Sequence, residues 1–337
     1  MQNKTKLLAL LAALTLAAGS ASAASYQMID GTIVDPIQDR RGGDSAYSWK
    51  NLEPYTNLAG ADLRHSNLNR ANLSYTYLGN ANLSNASLNN ASLNNAILNN
   101  ASLNNANLSN ANLIWADLVA ADLSNADLNN ANLYSANLSN ANLYYADLSN
   151  ANLRYANLRY ADMYSAELPH ADLTGADLSN AELALAVLNG ADLSNADLNN
   201  ALLFYANLSN ANLRYAEMYS AELVNADLRH ADLYTADMRN ADLIQADLSY
   251  ADLTNALLFS ADLEFANAFA SATWTGAKYS LNAVDNNGNP IPDTTFPPGF
   301  DPIAYGMIPV PEPGTALLVG LGLIGLGVRR RPQYPPS

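Results

Sequence analysis

The sequence predicts an all-β solenoid in which the chain coils around four flat sides. Two observations carry that prediction: an unbroken five-residue repeat, and the failure of a period of five to fit a helix or a flat strand. Residues 56–265 repeat the unit Ala-(Asp/Asn)-Leu-x-x forty-two times without an insertion or a frame slip. Ala61-Asp62-Leu63-Arg64-His65 is one copy and Ala121-Asp122-Leu123-Ser124-Asn125 is another. On an α-helix five residues advance about 500°, so successive leucines would ring the helix and leave no apolar stripe. On a flat strand side chains alternate with a period of two, so an odd repeat would flip every leucine to the other face. The chain therefore turns once per unit. Four turns are the simplest closure, a square coil of twenty residues. The array then makes about 10–11 coils, a rod of roughly 50 Å at the spacing of paired strands.

Within each unit the Leu points to the axis, and the Ala two residues earlier also points inward where four walls converge. Some forty leucine-type side chains fill this column, each contributing about 1.5–3 kcal/mol when fully buried. Met163, Met218 and Met238 replace Leu at little change of volume. The three remaining positions face outward. Asn and Ser after the Leu suit tight turns, because they bond nearby backbone and Asn tolerates positive φ.

The uninterrupted array resembles the pentapeptide-repeat family over about two thirds of the chain. That resemblance implies a right-handed quadrilateral parallel β-helix with irregular N- and C-terminal caps; the handedness comes from the resemblance alone.

The segments before the array read differently. Lys4 and Lys6 precede an apolar run at 7–18, and small residues follow, with Ala21 and Ala23 at the −3 and −1 positions of a cut after residue 23. This is the layout of a secretory signal peptide over residues 1–23. Residues 24–55 form an expected N-terminal cap. Its β-branched stretch at 28–37 predicts one or two short strands, 38–45 is a Gly-rich loop, and Tyr47, Trp49, Leu52 and Tyr55 supply bulk beside the first coil.

Residues twenty apart stack on one side, so the outward positions form columns. On one side the position after Leu runs Arg64, Ser84, Asn104, Ser124, Tyr144, Tyr164, Ala184, Phe204, Val224, Ile244 and Glu264. Its middle is apolar and aromatic, and Tyr145, Leu185, Leu202 and Tyr205 flank it. We take Tyr144, Tyr145, Tyr164, Leu185, Leu202, Phe204, Tyr205, Val224 and Ile244 as the candidate interaction surface. The competing explanations are ring stacking that stabilises neighbouring coils and cover by the C-terminal segment. A column through Asn89, Ser109, Asn129, Ser149, Asn189 and Ser209 is polar, and the sequence reading places it opposite.

The chain has 337 residues, no cysteine and a formal net charge of −15. It therefore carries no disulfide or thiol chemistry, and nucleic acid is not an expected partner. Of forty-one units from residue 61 onward, twenty-one place Asp or Glu before the Leu, and Asp62 alone does so before Asp117. One functional reading of that charge is mimicry of duplex DNA, which the resemblance links to inhibition of a type II topoisomerase. The competing reading is a solvated face that keeps a rod soluble. A mineral- or ice-binding array is a lesser alternative, disfavoured by the scarcity of Thr ranks.

Nothing in the sequence assembles a catalytic, cofactor or metal site, and the protein is read as a non-enzyme. His170 and His230 share a column but lie three coils apart, about 14 Å, too far to share an ion. His65 stands elsewhere, and Asp285-Asn286-Asn287-Gly288-Asn289 lacks the later ligands of a calcium loop.

After the array, residues 266–289 form an expected C-terminal cap in which Phe265, Phe269, Trp274 and Tyr279 lid the last coil. Residues 290–309 are Pro-rich and predict an extended tether. In the tail at 310–337, Val310-Pro311-Glu312-Pro313 precedes a fourteen-residue apolar run at 315–328 and then Arg329-Arg330-Arg331. This order resembles a PEP-CTERM sorting signal. The resemblance implies recognition by an exosortase in the inner membrane of Gram-negative bacteria, transient anchoring there, and delivery to the cell surface, extracellular matrix or medium. It also implies exopolysaccharide or envelope proteins as partner classes. The sequence-based expectation is an exported, non-catalytic structural or interaction protein.

Overall fold

The computed structural model describes residues 26–27, 33–34, 54–267, 271–280, 293–297 and 300–310. The repeats form a continuous four-sided coil. Each residue before a Leu makes a parallel bridge to the residue twenty positions on, from Asn57↔Tyr77 through Asp247↔Asn267.

One unit shows why this composition coils. Every backbone N–H of the unit 81–85 has a partner. Ala81 N–H closes a turn onto Leu78 O at 2.9 Å, and Asn82 N–H reaches back to Ala61 O of the preceding coil at 2.8 Å. Leu83 and Asn85 N–H reach forward to Ser102 O and Asn104 O of the next coil at 2.7 and 3.0 Å. The remaining donor, Ser84 N–H, is accepted by the Asn82 side chain at 3.1 Å. Asn or Asp before the Leu thus suits the turn by satisfying a donor that the ladder leaves over, although Ile97, Val187, Leu202 and Leu257 hold the same position with the ladder intact. The last residue of each unit is left-handed, with φ between 52° in Ser135 and 62° in Arg70 among the non-glycine residues. Asn dominates there because its short polar side chain tolerates that region.

Leu and Ala positions form one buried column from Leu58 to Ala266. Ser66 and Thr76 stand in Ala positions and stay buried because their hydroxyls donate to Leu63 O and Leu73 O at 2.7 and 2.6 Å.

Two short strands, β1 (Tyr26–Gln27) and β2 (Ile33–Val34), pair antiparallel before the array. β2 lies within the stretch expected to be extended, and β1 just precedes it. Tyr47, Trp49 and Leu52 lie outside the described residues.

The C-terminal end departs from expectation. The ladder continues past residue 265 with a changed offset: Asp252 bridges Thr273 and Leu257 bridges Lys278, then Asp262 bridges Thr295. β3 (Lys278–Ser280) pairs in parallel with β4 (Ile308–Val310). Residues 293–297 and 300–310 therefore lie on the rod and do not form the extended tether expected over 290–309. The physical reason is apolar side chains among the prolines. Phe296 and Phe300 pack on the core, Met307 is buried, and the Thr294 hydroxyl donates to Leu258 O at 2.6 Å. Trp274 is 1% exposed and its ring lies 5.7 Å from Phe300, while Tyr279 lies 5.4 Å from Phe296. Trp274 and Tyr279 do lid the column, as the sequence indicates. Phe265 does not: it occupies a left-handed turn position, φ 56°, and is 56% exposed. Phe269 and the 285–289 turn lie outside the described residues.

Candidate interaction faces of the rod

The chain turns after every five residues, so residues five apart lie on adjacent sides and residues ten apart on opposite sides. We number the sides by the units that begin at Ala61, Ser66, Ala71 and Thr76. The first face carries the apolar column. The polar column through Asn89 and Ser109 belongs to the second face, which adjoins the first; placing it opposite was an error of register. The third face is the true opposite.

On the first face, Tyr144, Tyr145, Leu185 and Tyr205 are exposed, Tyr205 to 60%, and Tyr164, Leu202, Phe204, Val224 and Ile244 are half-buried. The tyrosines interlock. Tyr144 stacks on Tyr164 at 5.5 Å, and Tyr145 meets Tyr144 edge-on at 4.3 Å. The hydrogen bond to Tyr145 pushes the Tyr144 phenol above its usual range. Stacking between coils and an outward apolar surface coexist here, because a ring that contacts its neighbour along the rod still shows an edge to solvent.

Carboxylates line the same face beside the apolar column. Asp162 and Asp242 accept the Tyr164 and Ile244 backbone N–H groups at 3.1 and 3.0 Å, and Glu182 accepts that of Ala184 at 3.2 Å. Leu202 interrupts this acidic row at the height of Phe204 and Tyr205.

The third face holds residues that the sequence reading did not single out. Trp115 is 59% exposed, and Tyr134 meets Tyr155 edge-on at 5.7 Å. Arg214 lies over Tyr234 at 4.2 Å, and Tyr215 meets Tyr234 edge-on. The ring of Tyr155 lies against the backbone of Gly175, where a Cβ would come within 2.7 Å of it. Reading the columns at an offset of ten residues would have found this set.

Arginines pair mostly with acids on their own face. Arg154, Arg159 and Arg214 reach Asp172, Asp177 and Asp232 of the following coil at 3.4, 3.5 and 2.9 Å. Arg229 and Arg239 pair with Asp227 and Asp237, both at 2.6 Å. Side-chain hydrogen bonds from Arg64 and Arg229 hold the Asp62 and Asp227 carboxyls below their usual range. Burial, helped by Asp177 and Glu217 on neighbouring coils, pushes Asp197 up.

Among the described residues no group of three or more His, Asp or Glu side chains could hold a metal ion. His170 lies over Gly190, and His230 stacks on Tyr250 at 4.9 Å.

The pentapeptide-repeats family model matches in overlapping copies from residue 55 to residue 268. The chain belongs to the pentapeptide-repeat proteins. Members of this family are generally structural or interaction proteins. A second family model, the PEP-CTERM protein-sorting motif, matches residues 309–331 and marks this pentapeptide-repeat protein for export, membrane-transit sorting and processing by an exosortase. Of its motif residues, Val310 ends β4, and Pro311, Glu312, Pro313, Arg329, Arg330 and Arg331 lie outside the described residues, as do Ala21 and Ala23 of the expected signal peptide.

No curated protein matches. Among solved structures, HetL is a pentapeptide repeat protein involved in heterocyst differentiation regulation in the cyanobacterium Nostoc sp. strain PCC 7120. It is 31% identical, with 70% of this chain and 92% of that chain covered and a TM-score of 0.39. The pentapeptide repeat protein alr5209 from Nostoc is 37% identical, covering 34% of this chain and 84% of its own, with a TM-score of 0.30. QnrB1, a plasmid-mediated fluoroquinolone resistance protein, is 18% identical over 63% of this chain and 92% of its own, with a TM-score of 0.42.

Proposed function

We propose that the protein is an exported, non-catalytic rod of the cell envelope or extracellular matrix that engages partners through the apolar-aromatic column of its first face. In this reading residues 1–23 direct export, 24–55 protect the first coil, and the tail from residue 310 anchors the chain transiently before processing. The sorting-motif match at 309–331 is the observation that carries the reading. The match supports an export route for the rod, and an outward apolar column would meet its partners along that route.

The test replaces Phe204, Tyr205 and Val224 together with Ser. All three point outward, so the coil itself should persist by circular dichroism. We expect the variant to lose surface retention in cell fractionation. Wild-type retention with an intact fold would sink the contact-surface reading, and wild-type chain found uncut in the cytoplasm would sink the exported one.

A further inference from the structure

Acids on the four faces are not compensated equally. Among residues 56–267 the first face carries Arg64 as its one basic residue besides His65, against eight acids. Arg64 is committed to Asp62 at the N-terminal end of the rod, at 2.7 Å. Asp162, Glu182, Glu222, Asp242 and Asp262 have no cationic partner within 4.0 Å among the described residues, whereas each of the other faces carries two arginines. These uncompensated carboxylates run along the apolar column on both sides of Leu202, Phe204 and Tyr205. A strip of like charge beside an apolar strip is self-repelling when empty and is relieved by a partner of opposite charge.

A second copy of this chain does not fit that requirement. Acids outnumber arginines on every face of the array, so any side-by-side contact between copies adds negative charge to negative charge. The apolar strip from Tyr144 to Ile244 spans five coil steps, about 24 Å. One helical turn rises about 5.4 Å, close to one coil step, so a helix of roughly 16 residues laid along the rod sets about one turn on each coil.

We infer that the first face docks a basic amphipathic helical segment of another molecule. Its apolar side rests on Leu202, Phe204 and Tyr205, and its Lys or Arg side chains meet Asp162, Glu182, Glu222 and Asp242. This rests on the contact-surface reading above and adds the chemistry of the partner.

The test uses the full-length chain and two synthetic 18-residue probes, an amphipathic Lys/Leu peptide and its counterpart with Ser for every Lys. In the first-face variant Asp162→Asn, Glu182→Gln, Glu222→Gln and Asp242→Asn are combined. Amides keep the acceptor that the turns need, so the fold is retained. The control combines Asp172→Asn, Asp192→Asn, Asp232→Asn and Asp252→Asn on the third face, an equal change of charge.

The expected result is that the Lys/Leu peptide binds wild type and gains helicity by circular dichroism. Its affinity should weaken as salt rises and fall at least about tenfold in the first-face variant. It should change by less than about twofold in the control. Equal losses in both variants would show attraction to any acidic surface and overturn the assignment. A Ser/Leu peptide that binds as tightly as Lys/Leu, with no effect of the first-face variant, would overturn the cationic partner and leave the apolar contact standing. Undiminished Lys/Leu binding to the Phe204→Ser, Tyr205→Ser, Val224→Ser chain would overturn the contact surface itself.

Discussion

Thr235 sits in the left-handed turn position at φ 59°, where a β-branched residue is strained and Asn is at ease. Its backbone N–H already reaches Thr254 O at 2.9 Å, so substitution leaves the ladder untouched. Thr235→Asn is expected to stabilise the rod by about 1 kcal/mol, read as a raised midpoint in guanidinium unfolding. Asp197 offers a pH-dependent counterpart. Its folded-state pKa lies above the unfolded value, so the folded carboxyl holds its proton more tightly and the fold weakens as pH rises through that pKa. Asp197→Asn keeps the acceptor that takes the Asn199 N–H at 2.9 Å and removes the charge beside Asp177 and Glu217. The variant should melt higher than wild type at pH 7, by roughly 0.5 kcal/mol after solvent screening, and match it at pH 3. An equal gain at both values would show that charge is not the cause.

Elements differ in how far they could be read in advance. The coil was legible because its cause is local: Ala and Leu recur at a fixed period, and Asn marks the left-handed turns. The residue before each Leu was legible as polar, but its duty of accepting the N–H two residues on, as Asn82 does for Ser84, emerges only when all five donors are followed. The closing segment was not legible. β3 and β4 are paired across about thirty residues of chain with no repeat between them, and proline content masked Phe296, Phe300 and Met307. Phe300 contacts Trp274, Phe296 and Tyr305, at 5.7, 5.3 and 4.9 Å between rings. Phe300→Ala is therefore expected to cost roughly 3 kcal/mol at that end. Hydrogen exchange should quicken in β3 and β4 and stay slow in coils near Leu128. Unchanged exchange in β3 would mean that the Pro-rich segment does not lid the column.

Over the whole molecule, a uniform core is combined with unlike sides. The apolar column of the first face was visible in the sequence because its residues recur at the coil period. Its neighbours around the rod were misplaced, because counting residues along a column fixes height and says nothing about which side is opposite. The tyrosines and arginines of the third face, including Arg154 and Arg214, became apparent only with that correction. Sidedness of this kind lets one rigid scaffold present distinct chemistry in different directions without altering the interior from which its stability comes.

The ladder of backbone bonds also has a mechanical consequence. Every bond between coils points along the length of the rod, so a pull on one end loads the coil interfaces in series, like links of a chain. The weakest link then sets the strength of the whole. Most Leu donors reach the next coil at 2.6 to 2.8 Å, but Leu248 reaches Asn267 O at 3.4 Å, where the repeat offset changes from twenty residues to twenty-one. A pull applied at Val310 would pass through the β4–β3 pairing and the Leu257–Lys278 bridge to that junction. The rod would yield there first, at the end nearest its attachment, while the coils carrying the first-face column kept their shape.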